Sequence, residues 1–329
     1  MTVYMPDTDY KAICDATREK TGATGLLKSY EIKPLLEALE TGGAKFTLTV
    51  NVDSGSVVTA TKGGLSISGT AVNGVAVLEL PEAGEWTVAA TLDGQSASGV
   101  VQVVGDYAAS VEFIPAFADA TWAQIIEICQ KRKVPEHWTV GSQNAMTING
   151  ASYLIDIIDK NHDAYSDGSG YAPLTLQLHD GYATGYAMHS SGTNTVGWEG
   201  CKMRKTYLPA ILAAMPAEVQ AGIREVDKCT SAGNKSSAIE ITADKLFLLS
   251  EVEIWGSNTY SFAGEGAQYA YYAAGNNLVK QRDGAAVYWW QRSPRSTTTN
   301  QFCMVGDTGN AMYNAANYDT PATTFAFCF

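Results

Sequence analysis

The feature that most limits how this chain can fold is a stretch, residues 44–105, in which apolar and small polar residues alternate. Six short runs such as KFTLTVNV and EWTVAATL carry the alternation, and turn dipeptides such as Asn73-Gly74 and Asp93-Gly94 separate them. A period of two places successive side chains on opposite faces of a strand. The pattern therefore predicts a β-sandwich over residues 44–105, with Trp86 in its core.

Length and charge narrow the classes of function. The 329 residues exceed one ordinary domain, so two or three domains are expected. A net charge of −12, without any cluster of cations, argues against nucleic-acid binding. No apolar run is long enough to span a bilayer, and residues 1–9 lack the basic start and apolar core of a signal peptide. We expect a soluble protein made in a cytoplasm, with no membrane insertion.

The cysteines indicate neither zinc nor redox chemistry, because no CxxC pair occurs. They are Cys14, Cys129, Cys201, Cys229, Cys303 and Cys328. Free buried thiols are expected. Cys303 and Cys328 both lie in aromatic, strand-like segments, so a disulfide between them, formed outside the cell, is the alternative.

Residues 1–43 predict a short helical module. Ser29 can cap a helix in which apolar residues recur at the i, i+3, i+4, i+7 spacing from Ile32 to Leu39, and Gly42 and Gly43 end it. Helices this short cannot bury their apolar faces alone. We expect the module to attach the chain to another protein or to a larger assembly, and a poorly ordered leader is the alternative.

Residues 106–134 are expected to form a linker and a helix. Thr121 can cap a helix that runs to Lys133, and four apolar residues share one of its faces. They are Trp122, Ile125, Ile126 and Cys129. Farther along, KTYLPAILAAM predicts a helix, and a second helix is predicted to begin at Pro216 and to carry Val219, Ile223 and Val226 on one face. The run KLFLLSEVEIWG alternates like a strand.

The order of landmarks after residue 134 resembles one protein family. The landmarks are HWTVGS, YLIDIIDKNHDAYSDGSG, LTLQLHD, GWEGCKMRKTYLPAIL, MPAEVQAGIREVDKCTSAGNK, DKLFLLSEVEIWG, EGAQYAYY, WWQRSP and the final FAFCF. They resemble C-type-lectin-fold domains found in phages and prophages of gut Firmicutes. DTDYKAICDATREKTGATGLLKS, near the N-terminus, is similar to the opening of tail or virion-surface proteins of the same phages, and PEAGEWTV resembles a corner of bacterial immunoglobulin-like domains.

The resemblance implies an α+β protein. A C-type-lectin-fold head over residues 135–329 would follow an immunoglobulin-like β-sandwich spacer and the short helical N-terminal module. In that fold the final strands and their loops carry the ligand face. In the members diversified by retroelements, the terminal segment, here Trp289–Phe329, is the part whose sequence is rewritten.

The resemblance divides the terminal segment into scaffold and display. The scaffold residues are Trp289, Trp290, Arg292, Ser293, Pro294, Phe302, Cys303, Phe325 and Cys328. The displayed, ligand-binding residues are Gln291, Arg295, Ser296, Thr297, Thr298, Thr299, Asn300, Met304, Gly306, Asp307, Thr308, Met312, Tyr313, Asn314, Asn317, Tyr318, Asp319 and Thr320, with Thr323 as a further candidate.

Most displayed residues can arise when the adenines of an asparagine codon are mutated, which is how such retroelements act. Gln291, Met304 and Met312 cannot, so they belong to the set only if the template differs there. Tyr, Ser, Gly, Asn and Thr on a rigid platform are typical of a paratope. A merely polar surface that ends in a core strand is the alternative.

The sequence offers no convincing metal site or cofactor. The loop at residues 161–170 fails the calcium-binding EF-hand pattern, because Tyr165 and Leu174 occupy ligand positions, so we expect its Asp and Ser to bond their own backbone. His162-Asp163 and His179-Asp180 lack the HExxH spacing. The sugar-reading tripeptides of calcium-dependent lectins are absent.

Enzymatic activity is not expected either. Glu251 and Glu253 would share one face of a strand, but no nucleophile or base motif accompanies them. Oxidases that form formylglycine share the C-type lectin topology and hold copper with paired cysteines. The resemblance assigns Cys303 and Cys328 to the scaffold instead.

These observations predict a phage receptor-binding adhesin on the virion tail. Its partners would be a bacterial surface protein or glycan, bound without covalent chemistry, and other virion tail proteins, bound through the N-terminal module. A homotrimer is one arrangement that the resemblance implies, since avidity strengthens weak contacts. The alternative function is a virion structural or decoration protein with no specific receptor.

Overall fold

The structure, a computed structural model, describes residues 46–110 and 114–329. The predicted helical module of residues 1–43 lies outside the described residues. The chain divides into two compact units between Ile114 and Pro115. The described chain is α+β, with strands as the more frequent element. No helix in these two ranges is long and apolar enough to cross a membrane.

Residues 46–110 of the first unit form two facing β-sheets. The strands are β1 (Phe46–Asn51), β2 (Val57–Lys62), β3 (Leu65–Thr70), β4 (Val75–Leu80), β5 (Gly84–Leu92), β6 (Gln95–Val103) and β7 (Tyr107–Ser110). One sheet has the order β4-β1-β7 and the other the order β3-β2-β5-β6. Leu48 of the first sheet and Trp86 of the second belong to one buried core. The six predicted strands and the burial of Trp86 are confirmed.

The seventh strand corrects the linker prediction. β7 pairs in parallel with β1, with Leu48 opposite Tyr107. The other side of β1 is occupied by β4. Without β7, the second side of β1 would leave its backbone N–H and C=O groups unpaired. Residues 107–110 are therefore part of a sheet and not of a linker.

The second unit mixes short helices with small sheets. Its helices are α1 (Trp122–Gln130), α2 (Gly197–Gly200), a π-helical turn (Met203–Tyr207), α3 (Leu208–Ala213), α4 (Ala217–Gly222), α5 (Glu251–Trp255) and α6 (Ala270–Ala273). Its strands are β8 (Gln143–Ile148), β9 (Ala151–Asp159), β10 (Thr175–Leu178), β11 (Val226–Gly233), β12 (Ser236–Asp244), β13 (Leu246–Phe247), β14 (Lys280–Arg282), β15 (Ala285–Val287), β16 (Trp289–Pro294), β17 (Gln301–Val305), β18 (Ala311–Ala315) and β19 (Ala326–Cys328).

The last strand of the chain lies inside the largest sheet. That sheet has the order β13-β19-β10-β9-β8, so β19 is paired on both sides. A separate sheet has the order β16-β17-β18, and β11–β12 and β14–β15 form two-stranded hairpins. Ala326, Phe327 and Cys328 are fully buried, as an interior strand requires. Between β18 and β19, residues 317–320 are exposed and residues 321–325 are buried.

Helix α1 begins where the sequence predicts. Thr121 Oγ1 accepts a hydrogen bond from the Gln124 backbone N–H at 3.3 Å, and Gln124 Oε1 accepts one from the Thr121 N–H at 2.9 Å. This capping box satisfies two N–H groups at the start of the helix. The face predicted to be apolar, from Trp122 to Cys129, is buried. The helix belongs to the second unit.

Two local predictions in the second unit are wrong. Glu251–Trp255 is helical, because Ser250 and Glu253 form a capping box in place of a strand alternation. The helix predicted from Pro216 ends at Gly222, where a Cβ would lie 2.8 Å from the Ile126 side chain. Val226 then enters β11 and pairs with Asp244. Close packing against α1 and the pairing of β11 decide the end of this helix.

Candidate functional site

The terminal segment combines buried strands, the half-buried strand β18 and exposed loops. All six residues of β16 are buried, and so are residues 321–329. The β16–β17 connection and residues 317–320 lie at the surface. All nine residues assigned to the scaffold are buried. Buried anchors and accessible positions therefore alternate along the chain, and the accessible positions lie on loops and on β18.

Most residues predicted for display have solvent-accessible surface. We call the exposed and half-exposed ones the terminal surface. Its members are Arg295, Ser296, Thr297, Thr298, Thr299, Asn300, Asp307, Thr308, Met312, Tyr313, Asn314, Asn317, Tyr318, Asp319 and Thr320. Loops on a rigid scaffold tolerate substitution at little cost in stability.

Four residues predicted for display are buried, which corrects those predictions. Gln291 lies in β16, which is hydrogen-bonded on both sides. Met304 lies in the central strand β17, opposite Trp290 on one side and Met312 on the other. Gly306 is buried in the turn after β17, where a Cβ would lie 2.2 Å from Asn310 Oδ1. Thr323 has no exposed surface.

At the terminal surface, Arg295 packs against two tyrosine rings. The Arg295 Cζ lies 3.3 Å from the Tyr313 ring centroid and 5.7 Å from that of Tyr260. The two rings meet edge to face at 4.9 Å. Arg295 Nη1 also donates to Gln301 Oε1 at 2.6 Å. Cation–π contacts of this kind fix a guanidinium and two rings in place before any ligand arrives.

The sequence prediction missed Tyr260, because it lies in a distant loop. Both Glu251 carboxylate oxygens accept from the Tyr260 N–H, at 2.9 and 3.1 Å, and Oε2 also accepts from the Ser261 N–H at 2.7 Å. The Ser296 N–H then donates to the Tyr260 carbonyl at 2.8 Å. Glu251 therefore holds the loop that brings Tyr260 to the terminal surface. A lone tyrosine in the run GSNTYSFAG was the available signal.

A buried asparagine from another part of the chain holds the β16–β17 loop. Asn194 has no exposed surface, and its Nδ2 donates to the carbonyls of Gln301 at 2.7 Å and Thr298 at 3.0 Å. Its backbone N–H donates to the Thr299 carbonyl at 2.8 Å. Asn194 supplies the partners that these loop carbonyls need. Asn194 was not predicted either, since nothing in the local sequence around it marks this role.

A buried ionic cluster lies beneath the terminal segment. Arg292 has no exposed surface and pairs with both carboxylate oxygens of Glu253, one of them at 2.8 Å from Nη2. Lys228 Nζ lies 2.7 Å from Glu253 and 2.6 Å from Asp163. Tyr269 donates its hydroxyl to Asp163 at 3.0 Å. The charges alternate in sign from Arg292 to Asp163, so each carboxylate has a cation.

The charges in this cluster keep its carboxylates ionised. Burial by itself would raise the pKa of Glu253, but the charges of Arg292 and Lys228 outweigh it and hold the pKa below its ordinary value. Burial likewise acts to raise the pKa of Asp163, and the charge of Lys228 lowers it overall. Glu251 and Glu253 therefore serve as a loop anchor and an ion-pair partner.

The cysteines of the terminal segment are free thiols. Cys303 and Cys328 are both unpaired and buried, and they lie in different sheets, which rules out the disulfide considered above. Burial raises the pKa of each well above its ordinary value. Among the described residues, no group of three or more His, Cys, Asp and Glu side chains is placed to hold a metal ion.

The loop at residues 161–170 follows its prediction in part. Asp167 Oδ1 accepts from the backbone N–H of Ser169 at 2.9 Å, as a self-bonded loop requires. Asp163 is instead turned into the core, where it pairs with Lys228 and accepts from Thr175 at 2.6 Å. The loop is thereby tied to the ionic cluster.

Comparison with known proteins gives one family match. A family described as a domain of unknown function, DUF6273, matches residues 174–323, which include the whole terminal surface. No curated protein matches the chain. A solved structure of a DUF4876 family protein from Bacteroides thetaiotaomicron is similar at 10% identity, covering 45% of this chain and 37% of that protein, with a TM-score of 0.17. A likeness of that size carries no conclusion about fold or function.

Proposed function

We propose that the second unit is a binding head that recognises a protein or glycan on a bacterial surface through the terminal surface, without covalent chemistry. The single observation that carries the proposal is the division of the terminal segment. Strands β16 and β19 are buried throughout and β17 is buried except at Gln301, whereas residues 297, 299–300 and 317–320 are exposed on loops. The first of these loops is held by the buried side chain of Asn194.

The composition of these loops favours recognition. Tyr313 and Tyr318 offer broad contact area with few rotatable bonds, whereas threonines and asparagines adapt their hydrogen bonds to a partner. Arg295 is held by cation–π contact with Tyr313, so less conformational freedom is lost when a ligand binds. Exposed residues of such a surface can be substituted while the buried residues beneath them keep the fold.

The proposal extends to the complete chain. The head would have the C-type lectin fold and the first unit would be an immunoglobulin-like spacer. Residues 1–43 would attach the chain, as a homotrimer, to the tail of a phage. The accessible side chains of β18 support the lectin-fold part of this proposal, since that fold carries its ligand face on its final strands and their loops. A retroelement would diversify the terminal segment.

Cell binding tests the proposal. The full chain, fluorescently labelled, would be incubated with a panel of gut bacterial strains, beside a variant with Asn317→Ala, Tyr318→Ala and Asp319→Ala. These three side chains are exposed, so the variant should fold. We expect selective binding to some strains and its loss in the variant, because interface tyrosines commonly contribute most of the binding energy.

A matched control changes one exposed and one half-exposed residue elsewhere. Ser237→Ala and Glu240→Ala in β12 remove polar side chains far along the chain from the terminal segment, and binding should persist. Equal binding by all three proteins would refute the assignment of the site. Binding to no strain would favour a structural or decoration protein. A near-repeat of the terminal coding segment beside a reverse transcriptase gene would separately test diversification.

A further inference from the structure

A concave site outside the terminal surface lies beside the β14–β15 hairpin. The cleft, which we call the hairpin cleft, encloses about 270 Å³ between the start of β9, the segment after β10 and the hairpin. The residues that define it are Tyr153, Asp180, Arg282 and Asp283, with Ser152 and Gly181 at its edge. None of them belongs to the terminal surface, so the cleft can be considered as a separate site.

A fixed aromatic ring forms one wall of the hairpin cleft. Tyr153 stacks on Tyr182 with ring centroids 5.4 Å apart and an interplanar angle of 20°. Tyr182 is buried and packs against Phe325. The Tyr153 ring is therefore supported from behind and keeps one orientation. A rigid, half-buried ring offers a flat apolar surface whose electron-rich face attracts the partly positive C–H groups of a ligand.

Carboxylates line the cleft with unused acceptor capacity. Asp180 Oδ1 accepts the Gln281 N–H at 2.8 Å, which orients the carboxylate, and Oδ2 has no partner among the described residues. Asp283 stands exposed at the tip of the hairpin, where its φ of 54° and that of 77° at Gly284 fit a type I′ turn. A carboxylate oriented by the backbone can accept two hydroxyl donors from neighbouring carbons of a ligand.

Donors complete the lining of the cleft. Ser152 is exposed and carries a hydroxyl, and Arg282 lines the cleft with its Nη1 buried and without a partner among the described residues. Arg282 Nη2 donates to the Thr320 carbonyl at 2.9 Å, so the arginine also connects the hairpin cleft to the terminal surface. Carboxylate acceptors and the Ser152 hydroxyl therefore surround a flat apolar wall, and Arg282 adds a positive charge nearby.

From this lining we infer that the hairpin cleft binds a single saccharide ring. A sugar presents C–H groups on one face and hydroxyls, which both donate and accept, around its edge. The volume of about 270 Å³ lies just below the roughly 300–1,000 Å³ of sites for drug-sized ligands, which suits one ring. The inference goes beyond the proposed function, because it assigns a ligand class to residues outside the terminal surface.

Other ligand classes fit the lining less well. An anionic ligand would meet two carboxylates, Asp180 and Asp283, against one cation, Arg282. A wholly apolar ligand would cover Asp180 Oδ2 without a hydrogen bond, which costs about 1–3 kcal/mol. A neutral polyol ring satisfies both the aromatic wall and the acceptors.

Ligand-detected NMR tests the inference with the full chain. A panel of methyl glycosides of glucose, galactose, mannose and N-acetylglucosamine would be titrated to about 10 mM, and saturation transfer to the sugar protons recorded. We expect at least one to bind with a Kd on the order of 1 mM. Tyr153→Ala should weaken that binding roughly tenfold or more, whereas Tyr153→Phe, which keeps the ring, should retain it.

A second variant guards against loss of fold. Asp283→Asn removes an exposed carboxylate, and Asn-Gly suits the type I′ turn, so the hairpin should persist while binding weakens roughly threefold or more. No binding by any glycoside would overturn the inference, and so would unchanged affinity in both Tyr153→Ala and Asp283→Asn. Loss of glycoside binding in the Asn317, Tyr318 and Asp319 alanine variant alone would place the sugar on the terminal surface and also overturn it.

Discussion

Replacing Arg292 with methionine should strongly destabilise the second unit. The Arg292 guanidinium, which has no exposed surface, bonds both oxygens of Glu253. It also donates to Thr230 Oγ1 at 2.8 Å and to the carbonyls of Leu248 at 2.9 Å and Cys229 at 3.0 Å. Methionine fills similar space but can replace none of these donors.

The magnitude follows from the partners left behind. Removing one member of a buried ion pair costs about 3–5 kcal/mol. Lys228 stays 2.7 Å from Glu253, which moderates the loss, but the carbonyls left unpaired add about 1 kcal/mol each. We therefore expect the free energy of unfolding to fall by about 4 kcal/mol, a large part of the total of about 5–15 kcal/mol typical of a domain.

Urea unfolding followed by tryptophan fluorescence measures this loss. The chain has seven tryptophans, and all except Trp86 lie in the second unit, so the signal reports mainly on that unit. The double variant Arg292→Met, Glu253→Gln should recover about 2 kcal/mol, because no uncompensated carboxylate remains. Arg224→Met is the matched control, since Arg224 pairs with the exposed Asp167 and should cost about 1 kcal/mol or less. A loss below about 1 kcal/mol for Arg292→Met, or strictly additive effects in the double variant, would refute the reasoning.

Three further changes test other parts of the second unit. Lys280 is 2% exposed, and burial lowers its pKa from 10.5 to about 8, against the charges of Asp156 and Asp180. The unfolded chain keeps the Lys280 proton to higher pH than the folded chain does. The free energy of unfolding of the wild type should therefore rise relative to that of Lys280→Met between pH 8 and 10.5, by up to ~3 kcal/mol. A difference in urea unfolding that does not change with pH would contradict this. Gln291→Met should raise the free energy of unfolding by about 1–2 kcal/mol, because both polar atoms of the Gln291 amide are buried without a partner among the described residues. A destabilised variant in the same assay would contradict this and would reveal a partner such as an internal water. Thr121→Ala should lower the free energy of unfolding by about 1 kcal/mol, because the cap of helix α1 is lost, whereas Thr121→Ser keeps the hydroxyl and should leave that free energy unchanged.

The spacing of apolar residues along the sequence correctly predicted the strands of the first unit and helix α1. The strands of the first unit alternate because each has one face on a shared core, as Trp86, Val88 and Ala90 of β5 illustrate. Helix α1 was predicted because its cap, Thr121, and its apolar face lie within ten or so residues of one another. Such signals need no knowledge of distant parts of the chain.

Other local signals were present but were outweighed. The sequence Ser250-Glu251-Val252-Glu253 fits the capping-box pattern that begins a helix, and the structure uses it. The preceding apolar run favoured a strand prediction, which is correct only for Leu246–Phe247. Short apolar runs do not separate strands from helices by periodicity alone.

The sequence by itself determined the alternation of anchors and polar loops in the terminal segment, because apolar side chains must leave water whatever the topology. Only the tertiary structure decided that Gln291 and Met304 are buried, since this depends on what packs around β16 and β17, which are each paired on both sides. It also decided that Tyr260 and Asn194 join this segment. Their contacts link residues that lie about 35 to 107 positions apart in the chain. Periodicity describes which face of an element is buried, but contacts between distant loops depend on how the elements pack together.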